Sequence, residues 1–381
     1  MAVTGGIADT SDVLSARLVV DMSDKIHLLE DNKISLTKLM SRLPKKKAEA
    51  TQIQWMTDEL VPKSTTLNEA LDNSETGVDV ATGTGAYFQA GDIAKVAETG
   101  ETMLVTSVSG DTLTVTRSWG TVAAANALTA GLLLNLGPAF SEGAHLRVSD
   151  SDDTILAKRV TEVQNTNYTQ IWRHALGLTR TQQQVKMYAG KDRDYQRKKK
   201  MIEHVRDINL SMYHGEEAAS GTRRTMGGIL EFVPAGNTFS TATLTESQFN
   251  TDLKTAFRYG AESKVLFCSR KIAGIISEWA SVVQRVEPKE SNFGVRITNY
   301  RSPHGDVAIV TDHALEGSST YDKYAVLVDV NDIAFRPLQD TVLLVDRQSP
   351  DIDGVVDEYL TEASAEWGNG SYHALWNAVT S

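Results

Sequence analysis

The alternation of apolar and polar residues changes period several times along the chain. Between residues 12 and 40, Val13, Leu14, Leu18, Met22, Ile26 and Leu29, then Leu36, Leu39 and Met40, recur at three- and four-residue spacing. That spacing predicts an amphipathic helical segment. Its stripe needs a cover, either the chain's own core or a neighbouring subunit. Pro44 and Lys45-Lys46-Lys47 end the segment, the lysines reading as a solvated loop with a phosphate contact as the alternative, and residues 51–56 alternate like an exposed strand. From Gly77 the texture becomes short β-rich runs between glycine turns, at 93–96, 103–108, 113–117 and 132–136. Two of these runs flank Gly110-Asp111, a hairpin signal, so residues 77–142 read as a small all-β insertion.

Residues 158–178 read as extended and 181–217 as the longest helix. In that helix Met201, Ile202, Val205, Ile208 and Met212 form one stripe, opposite Arg193, Arg197, Lys198, Lys199 and Arg206. At 1.5 Å per residue, ~37 residues would span ~55 Å, longer than a compact domain of this size needs. Gly190 is the point where such a helix would start late or bend. Beyond Gly215, helical segments at 253–257 and 272–283 alternate with strand-like runs at 265–268, 307–310 and 324–330, a mixed α/β pattern. The tail returns to strand-like runs at 342–345 and 355–363. No internal repeat is visible.

A length of 381 residues allows two or three domains, and 41% hydrophobic with 23% charged residues is enough to build folded cores. The formal net charge of -11 argues against a protein whose main task is gripping nucleic acid. Cys268 is the one cysteine, which excludes an intrachain disulfide and a cysteine-based zinc cluster. No apolar run approaches the ~20 residues that cross a bilayer. The first residues lack a basic start and an apolar stretch, so no secretion signal is expected; the product is expected to stay in the cytoplasm or in an assembly built there.

Candidate chemistry is sparse. Gly83-Thr84-Gly85-Ala86-Tyr87-Phe88 begins like a dinucleotide loop, but Phe88 stands at the third glycine position. The phosphate-loop, zincin and nucleophile-elbow patterns are missing. The histidines are His27, His145, His174, His204, His214, His304, His313 and His373, with no pair at the spacing of a helical metal site. His304-Gly305-Asp306 with Asp312-His313 is the one acid–histidine cluster, read as loop residues with a metal or general-base site as the alternative. Cys268 lies in an apolar run and reads as inert. Asp351/Asp353 and Asp357/Glu358 could be carboxylate pairs, but residues 340–381 hold eight acidic residues against Arg347, so a solvated acidic face is the plainer reading. Residues 186–206 carry a net charge near +5 and are expected to meet the acidic tail of the same or an adjacent chain in preference to nucleic acid. No catalytic, cofactor-binding or metal residue is assigned, no cofactor is expected, and the chain is not expected to be an enzyme.

Several strings in order carry a resemblance: Trp55-Met56-Thr57-Asp58-Glu59-Leu60, Gly91-Asp92-Ile93, Gly100-Glu101 before Val105-Thr106-Ser107-Val108, Leu113-Thr114-Val115-Thr116-Arg117 before Gly120-Thr121, Asn167-Tyr168-Thr169-Gln170-Ile171, and Arg224-Thr225-Met226-Gly227-Gly228-Ile229. With them the chain resembles the tailed-bacteriophage major capsid (major head) proteins of the SU-ten-like group, which have the Hong Kong 97-type fold. The resemblance implies an α+β chain with an N-terminal arm at 1–45, an extended loop and peripheral-domain strands at 46–76 and 143–178, and a β insertion at 77–142. It further implies the spine helix of the peripheral domain at 179–221, an axial α/β domain at 222–335 and C-terminal peripheral-domain strands at 336–381. It implies self-assembly through hexamers and pentamers into a genome-enclosing shell, located in the virion and assembled in the host bacterial cytoplasm. The implied partners are a separate scaffolding protein, a portal and a decoration protein, with packaged double-stranded DNA touched weakly and no membrane. Lys63 and Lys158 lie in the implied loop, yet no spacing identifies partners for isopeptide cross-links. Another virion structural protein (tail, adaptor or decoration component) and, behind it, a hydrolase using the 304–313 region are the competing readings.

Overall fold

The structure is a computed structural model that describes residues 34–140, 142, 145–146, 154–155, 160–185, 192–279, 298–316 and 318–380. The described residues fall into two compact units, one within Met1–Trp55 and Gln164–Ser381, the other within Met56–Val163.

The first element is α1 (Ser35–Arg42). Leu36 and Met40, one turn apart, are fully buried in the core of their own unit with Leu39 packed against it, so the end of the predicted stripe is covered internally. Val13 to Leu29 lie outside the described residues. Strand β1 (Gln52–Thr57) leads towards the second unit and Val163–Tyr168 leads back; the two strands pair.

In the second unit β2 (Ser64–Thr66), β3 (Gly77–Asp79), β4 (Asp92–Val96), β5 (Thr102–Ser109), β6 (Thr112–Thr116) and β7 (Leu132–Pro138) form one sheet in the order β2-β7-β4-β5-β6-β3. Every pairing in it is antiparallel. The predicted hairpin is β5–β6, turning at Gly110 with φ 61°, a conformation glycine reaches without a Cβ clash. Alternate side chains such as Met103, Val105, Leu113 and Leu133 fill one face. The sheet also takes in Ser64–Thr66, ahead of the expected start at Gly77, because β2 pairs with β7. Two short strands, β8 (His145–Leu146) and β9 (Thr154–Ile155), pair in parallel.

The chain re-enters the first unit through β10 (Val163–Tyr168) and β11 (Gln170–Thr179). The predicted long helix is shorter than its sequence pattern. A first piece, α2 (Arg180–Gln184), is capped by the Thr179 hydroxyl and stops before Val185. The main helix, α3 (Asp192–His214), has 23 residues, about 35 Å; Gly190 lies outside the described residues. It ends at Gly215, where a Cβ would come within 2.2 Å of the Met226 carbonyl. Ile208 and Met212 are buried as the stripe predicts, but Met201, Ile202 and Val205 are only half-buried. The polar residues His204 and Asn209 occupy buried positions on that helix instead.

After a hairpin of β12 (Ala218–Ser220) and β13 (Arg223–Thr225) come α4 (Ile229–Phe232), β14 (Thr238–Phe239), α5 (Glu246–Ala256), β15 (Ser263–Cys268) and α6 (Arg270–Glu278). Then follow β16 (Thr298–Ser302), β17 (Gly305–Thr311), β18 (Ala325–Val328), β19 (Ala334–Leu344), β20 (Gly354–Glu366) and β21 (Ala374–Trp376). Strands β11-β20-β19 make a three-stranded antiparallel sheet beside α3. A six-stranded sheet has the order β14-β21-β18-β15-β17-β16, parallel between β15 and β17 and between β14 and β21. The tail therefore divides: β20 joins the sheet beside α3, whereas β21, expected among the peripheral strands, pairs with β18 and β14.

Strands β15, β17 and β18 form a shared wall. Phe267, Val310, Val326 and Val328 belong to the core with α1 and α3; Leu266, Cys268, Ile309 and Leu327 belong to the core with α5 and α6. Both faces being buried explains the unbroken apolar run at 265–268, which lacks the alternation of a half-exposed strand.

Candidate functional site

The groups singled out for chemistry are dispersed or consumed by the fold. His304 and Asp306 lie at one end of β17 and Asp312 and His313 beyond the other end. Seven strand residues separate the two ends by roughly 20 Å, so the apparent acid–histidine cluster is not one site. In the glycine loop, the Gly83 and Gly85 amides donate to Asp111 Oδ1 at 2.9 and 3.2 Å; the donors that would cradle a phosphate hold an internal carboxylate. Cys268 is fully buried. Among the described residues no group of three or more His, Cys, Asp or Glu is arranged to hold a metal ion, and no helix is long and apolar enough to cross a membrane. Lys63 is exposed; Lys158 lies outside the described residues.

Asp312 is a structural hub. Its Oδ2 accepts from the Ser35 amide at 2.7 Å, the Leu36 amide at 3.1 Å and the Tyr213 hydroxyl at 3.3 Å. Its Oδ1 accepts from Asn209 Nδ2 at 2.8 Å and the Ala314 amide at 2.9 Å. Asn209 Oδ1 in turn accepts from the Thr37 amide at 3.1 Å. Helix α1 begins after Ile34, which has no capping side chain. Its first amides, normally satisfied by a local cap, are satisfied by α3 and the loop after β17. His313 faces Glu316 at 3.0 Å and Arg270 at 2.9 Å.

The acidic tail is only partly solvated. Asp357 and Glu358 are buried and point to opposite faces of β20, so they cannot act as a dyad. Arg193 reaches Asp357 at 2.6 Å and Asp346 at 2.8 Å, and Arg197 reaches Asp357 at 2.9 Å. The basic face of the helix thus meets the acidic tail within one chain. Arg173 pairs with Glu358 and Arg224 with Glu362 at 3.1 Å. The lysine triplet, expected to be a solvated loop, is engaged as well. Lys45 pairs with Asp340 at 2.6 Å, while the Lys46 and Ala48 amides donate to the carbonyls of Phe335 and Pro337 on the edge of β19. The paired Asp351/Asp353 carboxylates stay exposed, Asp353 with Arg180 at 2.9 Å.

Sequence reading missed the histidine pair between helix and sheet. His174 Nδ1 lies 2.8 Å from His204 Nδ1, His174 Nε2 lies 2.9 Å from Asp207, and His204 Nε2 lies 2.7 Å from the Thr361 hydroxyl. The Thr361 hydroxyl donates to Thr341 at 2.8 Å, so it accepts from His204 Nε2–H. That leaves His204 Nδ1 bare, to accept from His174. Burial pushes His204 down to about 4, with the neighbouring His174 acting in the same direction. Burial likewise pushes His373 down to about 4; its Nδ1 accepts from the Asp329 amide and its Nε2 donates to the Trp367 carbonyl. The Arg193 hydrogen bond holds the Asp357 carboxyl well below the usual range against the effect of burial. Burial pushes Lys264 down to about 8, although three carbonyls, of Ala256, Tyr259 and Tyr372, accept from its Nζ at 2.7 to 2.8 Å and match the three N–H bonds of the charged form.

In the second unit Glu101 and Arg117 form a forked pair at 2.8 and 2.7 Å. Arg117 also donates to the carbonyls of Asp72, Glu75 and Ala125, and Glu101 accepts from the amides of Ser118 and Ala125. Burial disfavours the Glu101 charge, but the Arg117 fork and those amides hold its carboxyl below the usual range. Glu101, Asp357 and Glu358 are thus each tied to an arginine from another segment.

The SU10 major capsid protein family model matches residues 4–380. The chain belongs to the SU10 major capsid protein family. Among solved structures it is similar to the capsid of an empty GTA particle, with a TM-score of 0.53 at 11% identity, covering 99% of this chain and 100% of that one. It is also similar to a Mycobacterium phage Adephagia chain, with a TM-score of 0.53 at 8% identity and 98% of each chain covered, and to the capsid of a native GTA particle, with a TM-score of 0.51 at 10% identity and 96% of each covered. No curated protein matches the sequence. The α+β fold implied by the resemblance, the Hong Kong 97-type capsid fold, is the fold of this family member, and its function is to form a capsid shell in the virion.

Proposed function

We propose that the family member acts as a non-catalytic shell subunit whose copies assemble through hexamers and pentamers in the host bacterial cytoplasm. A separate scaffolding protein, a portal and a decoration protein complete the head, and the packaged double-stranded DNA is touched weakly and without sequence preference. The observation that carries this reading is the match to the major capsid protein family, which spans residues 4–380. The locked state of Asp357 and Glu101 supports it, because a carboxylate held charged by arginines and amides does not exchange protons near neutral pH. The net charge of -11 supports weak DNA contact, and Arg193 and Arg197, on the helix's basic face, are already paired with Asp346, Asp357 and Asp194. The domain roles along the chain, with 1–45 as arm and 222–335 as axial domain, belong to this proposal. Negative-stain microscopy and sedimentation of the purified chain, with and without a co-expressed scaffold, test it: closed shells or capsomers are expected, whereas a ~42 kDa species under every condition would refute it. Shells carrying His304→Ala, Asp306→Ala and His313→Ala should form normally.

A further inference from the structure

We propose that His174 and His204 form a proton-counting clasp between β11 and α3, closed when the two rings share three protons and opened by a fourth, so that acid frees the middle of α3 from the sheet. Between Asp192 and Asp207, His204 is the only buried residue of α3; Ile208, Asn209, Met212 and Tyr213 follow in its last two turns. The upstream part of the helix is therefore held to the sheet more by polar ties than by apolar packing. Arg193 and Arg197 meet Asp357 at its start, and His204 meets Thr361 and His174 in its middle.

The partners fix the number of protons. The Thr361 hydroxyl gives its proton to Thr341, so His204 carries one at Nε2 and its Nδ1 is bare. The 2.8 Å contact between the two Nδ1 atoms then needs a proton on His174 Nδ1. His174 Nε2 lies 2.9 Å from Asp207 Oδ2, and an ionised carboxylate only accepts, so that nitrogen carries the third. The rings meet edge-on, 5.0 Å between centroids at 88°, with His204 fully buried and Asp207 open to solvent. The charged groups facing the pair come from α3: Asp207, and Glu203, which is bonded to Lys200 and feels His174. Strand β20 adds the Tyr359 ring 6.1 Å from His204, and β19 the uncharged Thr341. A fourth proton has one place to go, His204 Nδ1. Two N–H groups would then face each other across 2.8 Å with no acceptor between them. Burial, with His174 acting in the same direction, already pushes His204 down to about 4, against ~6.5 for a histidine in water. Between those values the freed helix binds the fourth proton and the clasped one does not, so closure weakens as pH falls. The ties on either side outlast it: Arg193 holds the Asp357 carboxyl well below the usual range, and Ile208 and Met212, in the core, do not titrate.

Hydrogen exchange of the full chain, read by mass spectrometry and corrected for the intrinsic effect of pH, tests the clasp. A helical segment released from its sheet is marginal in water and exchanges. From about pH 6.5 to about pH 4.5, a peptide covering 200–207 should exchange roughly fortyfold faster, the change that values of about 4 when clasped and ~6.5 when free allow. At the lower pH it should exchange at least roughly tenfold faster than a peptide covering 263–268, the wall strand of the same unit. His174→Asn puts an amide in place of Nδ1, and its oxygen accepts from a protonated His204; the response of the 200–207 peptide should fall below about tenfold. His204→Gln, whose amide still donates to Thr361 but does not titrate, should abolish it. Equal exchange of the two peptides at the lower pH means that the unit unfolds whole, and it overturns the clasp without need of any variant. An undiminished response in His174→Asn also overturns it, leaving burial of His204 as the whole cause, as does a response that survives in His204→Gln. Every readout is internal to one chain, so the clasp stands or falls apart from the shell reading.

Discussion

Replacing Asp312 by Asn separates a structural hub from a catalytic group. The two side chains have the same shape, but an amide has one acceptor oxygen where the carboxylate has two. Asp312 receives three donors on one oxygen and two on the other. Whichever way the new amide turns, its NH2 faces at least two buried donors. Leaving a buried donor unsatisfied costs ~1–3 kcal/mol, so the lower half of the range gives about 3 kcal/mol for two. The loss falls on the first turn of α1, whose Ser35 and Leu36 amides depend on this carboxylate. Local opening free energies set amide exchange, and about 3 kcal/mol is roughly a hundredfold in rate at 1.4 kcal/mol per decade. Hydrogen exchange read by mass spectrometry on a peptide covering 35–42 should therefore accelerate about a hundredfold, with a peptide covering 102–116 in the other unit unchanged. His313→Ala removes the neighbour that would complete a general base, and it should leave the 35–42 peptide within threefold of the parent. Parental exchange in Asp312→Asn, or equal acceleration in both variants, refutes the hub.

Acid should destabilise the fold in a defined window. His204 and His373 titrate near 4 when folded and near 6.5 when unfolded; between those values the unfolded chain binds more protons, so stability falls as pH falls. The loss is on the order of 3 kcal/mol per histidine by pH 4, and a urea series across the window should flatten in the double variant His204→Gln with His373→Gln; an unchanged slope excludes these two groups as the cause. Arg117→Ala should destabilise the second unit by about 3–5 kcal/mol, because Glu101 is left buried and charged; a melt within 1 kcal/mol of the parent would contradict this. Ile208→Asp places an unpaired charge in the core beside α3 and should leave most of the product insoluble; normal solubility and assembly would mean the helix faces otherwise. Lys198→Glu with Lys199→Glu should fold normally, since both side chains are exposed, and should reduce assembly more at low than at high salt; salt-independent yields would show that face to be merely solvated.

Local pattern made much of the fold legible. The hairpin at 102–116 was readable because alternation and a Gly-Asp turn both belong to one stretch of sequence, and the wall strand at 265–268 because an unbroken apolar run requires two covered faces. The helix length misled because Gly190 was the one break legible within 181–217, and nothing in the pattern before it marks the stop of α2 ahead of Val185. The charge pattern suggested that helix and tail would meet, yet not that Asp357 would be buried between two arginines. The start of α1 was illegible for a definite reason: Ile34 cannot cap a helix, and the groups that do so lie at Asn209 and Asp312, far along the chain. The histidine pair was missed in the same way, because His174 and His204 come from a strand and a helix that only the tertiary fold brings together.

The shared wall explains how these distant ties act as one body. Strands β15, β17 and β18 contribute to the core beneath α1 and α3 with one set of side chains and to the core beneath α5 and α6 with the alternate set. A displacement of α3 would therefore press on Phe267 and Val326 and be felt across the sheet by Leu266 and Leu327, since close-packed side chains transmit strain instead of absorbing it. Arg193 and Arg197 fix the first turns of α3 to β20 through Asp357, His204 fixes its middle through Thr361, and Asn209 and Tyr213 fix its last turns to Asp312. The helix is thus bonded at its start and middle to β20 and at its end to the loop after β17. A subunit that must repeat many times in a closed shell needs its interfaces held at fixed angles, and polar ties at both ends of one helix supply that constraint where apolar packing alone would tolerate sliding.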